Sequence, residues 1–347
     1  MKLSSLFGRE FNSRHLHQRK ILPLTNQRAF LTYKKLKLLD FLTFRLRINS
    51  MTKILIVGSV AFDVIFSIPE DFRKSIPLEN NEIRNFNATY IANQKQEFPG
   101  GTAGNIAFWC GHQDVPCSVL SAWGKDFEQK KYSKKLEQLK VDTRGNVGDF
   151  TAHAYMVSDP LHQQLIIWQP NAYEQNETQK LSDHFSNKEI ENFEIAIFSA
   201  GSPSSIKKHL TEFRKKNKKA KIILDPGQVS QFFDGKDFSE LCKKSDILIG
   251  NDIEFQHFKN YFTEPPQNLK MIETLGDKGV KLHDPKNNLE EIFTAEKVAK
   301  VVETTGAGDA FRAGFITKLL ETNNYELAIK NGVHFGAKCV KLPSGQI

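Results

Sequence analysis

Four short, unbroken apolar runs constrain the fold of this chain more than any other feature of its sequence. They occupy residues 53–58, 194–199, 221–225 and 246–250. A strand that is buried on both faces of a parallel sheet has this continuous character, whereas a half-exposed strand alternates. Charged segments with helical spacing lie between the runs, for example residues 204–216. The alternation predicts an α/β fold with a central, mostly parallel sheet flanked by helices.

Two stretches interrupt this alternation and predict a second, smaller sheet. Residues 64–98 are rich in Asn and have the composition of extended segments joined by turns. Residues 150–168 hold two apolar segments on either side of a turn at residues 158–160, which is the pattern of a β-hairpin. We therefore expect one body over residues 51–347, with a small β lid formed from about 64–98 and 150–170.

Charge is distributed unevenly along the chain. The net charge is +8, but residues 1–50 hold eleven Lys and Arg against two acids, whereas residues 51–347 hold 37 against 38. A body that binds nucleic acid is expected to carry a basic face of its own, so we expect no nucleic-acid partner. No apolar run approaches the ~18 residues of a membrane-spanning helix, so we expect no membrane partner either.

The basic extension, residues 1–50, admits two interpretations. It is acid-poor and contains Arg, as a mitochondrial presequence does. Alternatively, it is a disordered arm or precedes the true start, because Met51 lies directly before the first apolar run. We favour the second interpretation and a cytoplasmic location. The four cysteines form no C-x-x-C pair, which fits a reducing compartment.

The segment 303–311, Glu-Thr-Thr-Gly-Ala-Gly-Asp-Ala-Phe, is the most informative motif. Gly306 and Gly308 let backbone N–H groups converge without a Cβ in the way. The unpaired donors of a helix N-terminus attract an anion such as a phosphoryl group. Asp309 lies inside this turn, where it is a candidate base for a substrate hydroxyl. An ordinary glycine loop that caps a helix explains the turn alone equally well.

A second glycine turn, Gly-Gly-Thr-Ala-Gly-Asn over residues 100–105, precedes a helical pattern. The Asn105 amide is a candidate partner for a sugar hydroxyl, although a tight turn packed on a helix is an equal alternative. The turn matches neither G-x-G-x-x-G nor a Walker A sequence, so neither NAD nor P-loop chemistry is supported. Asp63 is a candidate acceptor for two adjacent hydroxyls, although a solvent-facing turn Asp is the simpler interpretation.

Two further motifs predict contacts with a metal or a phosphate. Asn251 and Glu254 follow an apolar run at i and i+3, so they share a helix face and suit hydrated Mg²⁺. Capping of the helix by Asn251, with an acidic first turn, is the alternative. Thr274, Gly276 and Gly279 belong to a third glycine turn, which is either a loop along the phosphates of a nucleotide or a hairpin turn.

In this order and spacing, the motifs resemble those of the PfkB/ribokinase family of carbohydrate and nucleoside kinases, from about residue 53 to residue 346. The G-G-x-x-G-N and T-G-A-G-D-A-F blocks are specific in combination, and N-x-x-E and T-x-G-x-x-G support them. The block from Phe150 to Ala172 is similar to the lid hairpin of the bacterial and archaeal nucleoside (adenosine-type) kinases.

The resemblance implies a ribokinase-like three-layer fold with a small β-sheet lid, and it implies a role for each motif. Asp309 would be the base that activates the 5′-hydroxyl of the substrate. The other implied site residues are Gly306, Ala307 and Gly308 for the anion hole; Asp63, Gly100, Gly101 and Asn105 for the ribose hydroxyls; Asn251 and Glu254 for Mg²⁺ through water; and Thr274, Gly276 and Gly279 for ATP.

The activity implied is ATP-dependent phosphorylation of the 5′-hydroxyl of a purine nucleoside, adenosine first, with ATP and Mg²⁺ as cofactors. The alternative is a kinase for a free sugar such as ribose. We expect a monomer or a homodimer. Glu303 stands where the family usually has an Asp that helps to bind a monovalent cation, and Asn171 follows Pro170 where relatives often have Gly. Neither the cation nor the base preference therefore follows from the resemblance.

Overall fold

The computed structural model describes residues 52–72, 88–161, 163–261 and 264–346. The predicted extension 1–50 and the stretch 73–87 of the predicted lid lie outside the described residues. The strands of the described part are β1 (Ile54–Val57), β2 (Ala61–Ser67), β3 (Gln94–Gly100), β4 (Cys117–Gly124), β5 (Val141–Gly148), β6 (Ala152–Ser158), β7 (Gln164–Gln169), β8 (Ile195–Phe198), β9 (Lys221–Leu224), β10 (Ile247–Asn251), β11 (Lys270–Thr274), β12 (Val280–Asp284) and β13 (Leu289–Phe293).

Helices connect most of these strands. The α-helices of the described residues are α1 (Thr102–Gly111), α2 (Asp126–Gln129), α3 (Tyr132–Gln138), α4 (Leu181–His184), α5 (Asn187–Asn192), α6 (Pro203–Lys216), α7 (Gly235–Lys244), α8 (Asp252–Phe258), α9 (Ala307–Thr322) and α10 (Tyr325–Cys339). Short 3₁₀ helices span Asn171–Glu177, Gly227–Phe232, Gly276–Lys278 and Pro285–Asn287.

The larger sheet confirms the predicted mostly parallel architecture. Its nine strands follow the order β13-β12-β11-β10-β9-β8-β1-β4-β5, and only the pairings β11–β12 and β12–β13 are antiparallel. Both faces of the sheet are covered, because Ile54 and Ile56 pack in one apolar cluster while Leu55 and Val57 pack in another. A strand between two helical layers needs apolar side chains at every position, which is why the run is continuous.

The smaller sheet confirms the predicted second sheet, which we call the lid; its closure over the site stays a prediction. It has the order β3-β2-β6-β7, with β2–β6 parallel and the other two pairs antiparallel. Only residues 58–60 separate β2 from β1, and only Gly101 separates β3 from α1. These short connections place the smaller sheet at the carboxyl end of β1, the edge where ligands of α/β sheets bind. The division into residues 1–50 and 51–347 stays a prediction.

Helix α9 packs beside α1 on one face of the larger sheet. Phe311, Phe315 and Ile316 of α9 share an apolar cluster with Ile106 and Ala107 of α1. Each fully buried large side chain of this kind contributes about 1.5–3 kcal/mol relative to exposure. The packing holds the N-terminal turns of the two helices next to each other.

Candidate active site

The N-terminal turn of α9 presents free amides and a buried carboxyl group. Gly306 precedes the helix with φ of 80°, a conformation that favours glycine, and an added Cβ would collide with the Cα of Gly345. The backbone N–H groups of Gly308 and Asp309 bond to no described residue. They are therefore available to an anion, as expected at a helix N-terminus. Asp309 itself is only 9% exposed.

Asn105 joins the two predicted glycine turns. It lies in the first turn of α1, is 3% exposed, and donates a hydrogen bond of 2.8 Å from Nδ2 to Oδ2 of Asp309. Gly101 brings the chain into this turn with φ of 81°, where an added Cβ would lie 2.6 Å from the carbonyl oxygen of Ser59. The structure thus brings together the two turns that the sequence identified separately.

Asp63 lies in the middle of strand β2, and its side chain lines the cleft beside Asp309. It is buried, so the simpler interpretation as a solvent-facing turn residue is wrong. Gly100 lies directly behind its carboxyl group, where an added Cβ would overlap the carboxylate oxygens. Gly100 does not itself line the cleft, and its carbonyl oxygen accepts a hydrogen bond of 2.9 Å from the Tyr132 hydroxyl.

Burial gives these two carboxyl groups an unusual acidity. Burial raises the pKa of Asp309 to about 7, although the Arg312 guanidinium and the Asn105 amide oppose the rise. Burial also raises the pKa of Asp63 to about 7, and the negative charge of Asp309 adds to this shift. A base whose pKa lies near the working pH is the most effective in proton transfer.

A cleft of about 1110 Å³ opens above these residues, between the two sheets. The lid strands β6 and β7 contribute four apolar side chains to it, those of Ala154, Met156, Ile166 and Trp168. Strand β2 of the same sheet contributes Asp63, next to Ala154, and the body contributes Asn105 and Asp309. The part of the cleft lined by β6 and β7 is therefore mostly apolar, and it adjoins a polar part with two carboxyl groups and an amide.

Asn251 and Glu254 form the predicted helix cap, while their role toward Mg²⁺ stays a prediction. Asn251 Oδ1 accepts a bond of 2.8 Å from the backbone N–H of Glu254, and Glu254 Oε2 accepts one of 2.8 Å from the N–H of Asn251, which is a capping box. Both residues also line the cleft. Burial raises the pKa of the Glu254 carboxyl group, and the Arg312 guanidinium opposes that shift.

The third glycine turn is the turn of the β11–β12 hairpin, and it separates two cavities. Thr274 and Gly276 line both the cleft and a second cavity of about 590 Å³, whereas Gly279 lines only the second. Gly308 also lines both, and Ala307 lines only the second. The second cavity has several apolar side chains, those of Val298, Val301, Phe311, Val333 and Val340. The two cavities therefore meet at the N-terminus of α9.

Sequence reasoning missed two residues that hold Asn105 in place. Gln346 Nε2 donates bonds of 3.0 Å to Asn105 Oδ1 and of 2.5 Å to the Tyr132 hydroxyl. All three side chains are buried. No motif surrounds Tyr132 or Gln346. Gln346 lies 241 residues from Asn105 and 214 residues from Tyr132, so no local sequence pattern could predict this network.

A contact between the lid and the body involves the segment before α9. Gln164 Nε2, in β7, donates bonds of 2.9 Å to Thr305 Oγ1 and of 3.2 Å to Glu303 Oε1. The same Glu303 oxygen accepts bonds from the N–H groups of Thr304 and Thr305. This carboxylate therefore organises the turn that leads to Asp309.

Two features are absent from the described ranges, a metal-binding cluster and a membrane-spanning helix. There, no three His, Cys, Asp or Glu side chains come together in a group that could hold a metal ion. None of the helices described combines the length and the apolar character needed to cross a membrane.

Comparisons with known proteins agree with this architecture. Residues 51–347 match the family described as "pfkB family carbohydrate kinase". The chain is 25% identical to a nucleoside kinase of Methanocaldococcus jannaschii over 288 residues, which is 80% of this chain and 87% of the relative. It is 25% identical to a ribokinase of Lactococcus lactis subsp. lactis over 290 residues, 82% and 89% of the two chains.

A solved structure extends this likeness to three dimensions. The nucleoside kinase of Burkholderia thailandensis in complex with inosine superposes with a TM-score of 0.73 at 22% identity, covering 84% of this chain and 92% of that one. The fold and the match over the whole body define an ATP-dependent phosphotransferase. The chain belongs to the pfkB family of carbohydrate kinases, and its relatives support a nucleoside or sugar kinase.

Proposed function

We propose that this protein transfers the γ-phosphoryl group of ATP to the 5′-hydroxyl of a purine nucleoside, with adenosine as the first candidate. The observation that carries the proposal is the Asp309–Asn105 pair at the junction of the cleft and the second cavity. A nucleoside in the cleft and an ATP whose base fills the second cavity would meet at Gly308, which lines both.

Asp309 is the base in this proposal. Its carboxylate accepts the proton of the 5′-hydroxyl as that oxygen attacks the γ-phosphorus, and its pKa near 7 leaves it ionised in much of the population at neutral pH. The free N–H groups of Gly308 and Asp309, with Gly306 and Ala307 shaping the turn, hold the charge of the phosphoryl group in transit. Transfer of this kind depends mainly on positioning and on charge stabilisation.

Asp63 and Asn105 would hold the ribose. Both carboxylate oxygens of Asp63 lack a hydrogen-bond donor among the described residues, so they remain for two adjacent sugar hydroxyls. Asn105 Nδ2 has two hydrogens and uses one for Asp309, which leaves the other for a hydroxyl. Gly101 supplies the close backbone approach at this point.

The apolar wall of the cleft favours a nucleoside over a free sugar. Burying apolar surface contributes about 25 cal/mol per Å², and a planar base has such surface whereas ribose has very little. Met156, Ile166 and Trp168 supply a matching surface on the lid side. The Burkholderia nucleoside kinase, which shares the fold, was solved with inosine.

ATP would lie along the third glycine turn, with Thr274, Gly276 and Gly279 at its phosphates. Asn251 and Glu254 would hold Mg²⁺ through water, and their donor set fits, because Mg²⁺ keeps several waters and takes one or two protein oxygens. The ion, when bound, neutralises negative charge on the phosphates. Glu303 Oε1 already accepts four hydrogen bonds, so we propose no monovalent-cation site there.

The test is ATP turnover with adenosine, inosine, guanosine, cytidine and ribose measured side by side, with the product identified by phosphorus NMR. We expect a purine nucleoside to be the fastest substrate and its 5′-monophosphate to be the product. Rapid turnover of ribose alone would reverse the assignment.

A ribose kinase is the second candidate, because the Lactococcus ribokinase is as similar in sequence as the Methanocaldococcus nucleoside kinase. The Trp168→Ala variant separates the two candidates. It should raise the KM for a nucleoside several-fold, because the base loses apolar contact, and should leave the KM for ribose nearly unchanged.

A further inference from the structure

Arg312 and Asp225 form a buried ion pair at the floor of the cleft. Arg312 lies one helical turn after Asp309 on α9, and Asp225 directly follows β9. Arg312 Nε lies 2.5 Å from Asp225 Oδ2, and Nη2 lies 2.6 Å from Oδ1. The side chains are 7% and 1% exposed. Two parallel bonds of this kind fix the plane of the guanidinium group.

The pair leaves one nitrogen of the guanidinium group without a protein partner. Arg312 Nη1 bonds to no acceptor among the described residues, although the side chain lines the cleft. A Cβ added to Gly308 would lie 2.8 Å from this nitrogen. Nη1 therefore lies against the turn whose free N–H groups face the junction of the two cavities.

Arg312 Nη1 belongs to a cleft whose lining is otherwise acidic. Of the described residues that line the cleft, Arg312 is the only Lys, Arg or His. The acids of the lining are Asp63, Glu174, Glu177, Asp225, Asp252, Glu254 and Asp309. A triphosphate brought into such surroundings meets strong repulsion, so a fixed cation at the point of transfer has a large effect.

A purely structural role explains the pair poorly. Removing two charges from water costs several kcal/mol per ion, and packed apolar side chains often stabilise a protein as well or better. Arginine is suited to phosphate because its planar fork offers donors on more than one edge.

We propose that Arg312 binds the phosphoryl group in transit through Nη1, and that Asp225 is the positioning residue that orients the guanidinium group. This inference rests on the proposed phosphoryl transfer but not on the identity of the acceptor. The third phosphoryl group of ATP lies between Nη1 of Arg312 and the N–H groups of Gly308 and Asp309, while Asp309 receives the proton of the attacking hydroxyl.

The test uses the full chain and compares the binding of ADP with that of β,γ-imido-ATP, which carries the third phosphoryl group but resists transfer. Calorimetry with Mg²⁺ gives both dissociation constants for the wild type, Arg312→Gln and Arg312→Lys. For Arg312→Gln we expect imido-ATP to bind about 10- to 100-fold more weakly and ADP to change by less than about twofold, because a charge-assisted hydrogen bond to one phosphoryl group is lost. Arg312→Lys keeps the charge but loses the fork, so its loss is smaller.

Arg144→Gln is the matched control. Arg144 is a similarly buried arginine, paired with Asp142 and Glu189 away from the cleft, so its loss should affect both nucleotides alike. Arg312→Gln leaves the Asp225 carboxylate buried and unpaired, which can prevent folding. In that case the double variant Asp225→Asn/Arg312→Gln replaces it, with the same expected loss of affinity for imido-ATP and little change for ADP. Asp225→Asn alone should lower kcat more than it raises the KM for ATP, because the cation remains but is no longer oriented.

An unchanged preference for the triphosphate in the folded Arg312 variants would overturn the inference. If the wild type turns over adenosine rapidly and the Arg312 variants keep their preference for imido-ATP over ADP, the role of Arg312 is refuted and the proposed function stands. If instead the wild type phosphorylates ribose alone and the Arg312 variants lose their preference for imido-ATP over ADP, the nucleoside assignment is refuted and the role of Arg312 stands.

Discussion

Asn105 Nδ2 donates a hydrogen bond of 2.8 Å to Asp309 Oδ2, across 204 residues of sequence. This bond links the N-terminal turn of α1 to that of α9 and fixes the orientation of a buried carboxyl group. It also favours the ionised form of Asp309, opposing the effect of burial on its pKa. The group we propose as the base is thus held in one rotamer with a pKa near 7.

Replacing Asp309 with Asn tests the base directly. The substitution is nearly isosteric, and the new Oδ1 can still accept the bond from Asn105, so we expect the fold and nucleoside binding to persist. We expect kcat to fall by about 10²–10⁴-fold, the usual contribution of general base catalysis. Steady-state kinetics and thermal unfolding measure the two effects, with the exposed Asp114→Asn as control. Turnover within threefold of the wild type would remove Asp309 from the mechanism.

The Asp63→Asn variant should change the pH dependence of kcat. The Asp309 charge raises the pKa of Asp63, and because repulsion is mutual, removing the Asp63 charge lowers the pKa of Asp309. Activity requires ionised Asp309 and is lost as the pH falls through its pKa. The acid limb of the kcat profile should therefore move to lower pH, measured between about pH 5 and 9 with Asp114→Asn as control. A limb that stays in place would contradict the coupling.

Asp63→Asn should also change how stability depends on pH. Because the pKa of Asp63 is raised in the folded state, the folded protein holds a proton on this group at pH values where the unfolded chain has released it. The stabilising contribution of Asp63 is therefore present at low pH and is lost as the pH rises from about 4 to about 7. Asp63→Asn, which has no such charge, should unfold at a higher temperature than the wild type at pH 8, and the difference should vanish near pH 4.

Much of the fold followed from the sequence because of the way its strands are buried. β1, β8 and β10 lie between two helical layers, so their runs are continuous and easily recognised. The final hairpin, β12 and β13, escaped prediction because it lies at the edge of the sheet: Leu289 to Ile292 is exposed and mixed in character. Edge strands carry a weaker hydrophobic signal than central ones.

The site was predictable only where its chemistry is local. Gly306 to Asp309 and Asn105 belong to short motifs, and Asp225 was recognisable only as one of several polar residues that end a strand. Arg312 carried no signal of its own, since an arginine on a helix is usually solvated. Its partner, its burial and its free Nη1 depend on how β9 and α9 pack, which is information that the sequence pattern does not hold.

Removing the lid contact of Gln164 should weaken closure. Gln164→Ala deletes the bonds to Thr305 Oγ1 and Glu303 Oε1, each worth about 0.5–1.5 kcal/mol. We expect the KM for the nucleoside to rise about 3- to 10-fold and more ATP to be lost to water, because a closed lid excludes water from the phosphoryl group. The ratio of free phosphate to nucleoside monophosphate measures this loss. Gln169→Ala, at the other end of β7, is the control, and an equal loss in both variants would count against the contact.

Gly101→Ala should destabilise the fold more than Gly276→Ala, although both glycines have positive φ. At Gly101, with φ of 81° and ψ of 142°, a Cβ would lie 2.6 Å from the Ser59 carbonyl oxygen and 2.7 Å from the Ala61 nitrogen, both backbone atoms held by the lid strand and α1. Backbone strain in this region costs about 1–3 kcal/mol, and the steric overlap adds about as much again. At Gly276, with φ of 60°, no atom lies within 4 Å of the added Cβ, so only the conformational cost of about 1–2 kcal/mol remains. The midpoints of urea unfolding at one pH compare the two variants, and equal shifts would show that the close approach at Gly101 relaxes without cost.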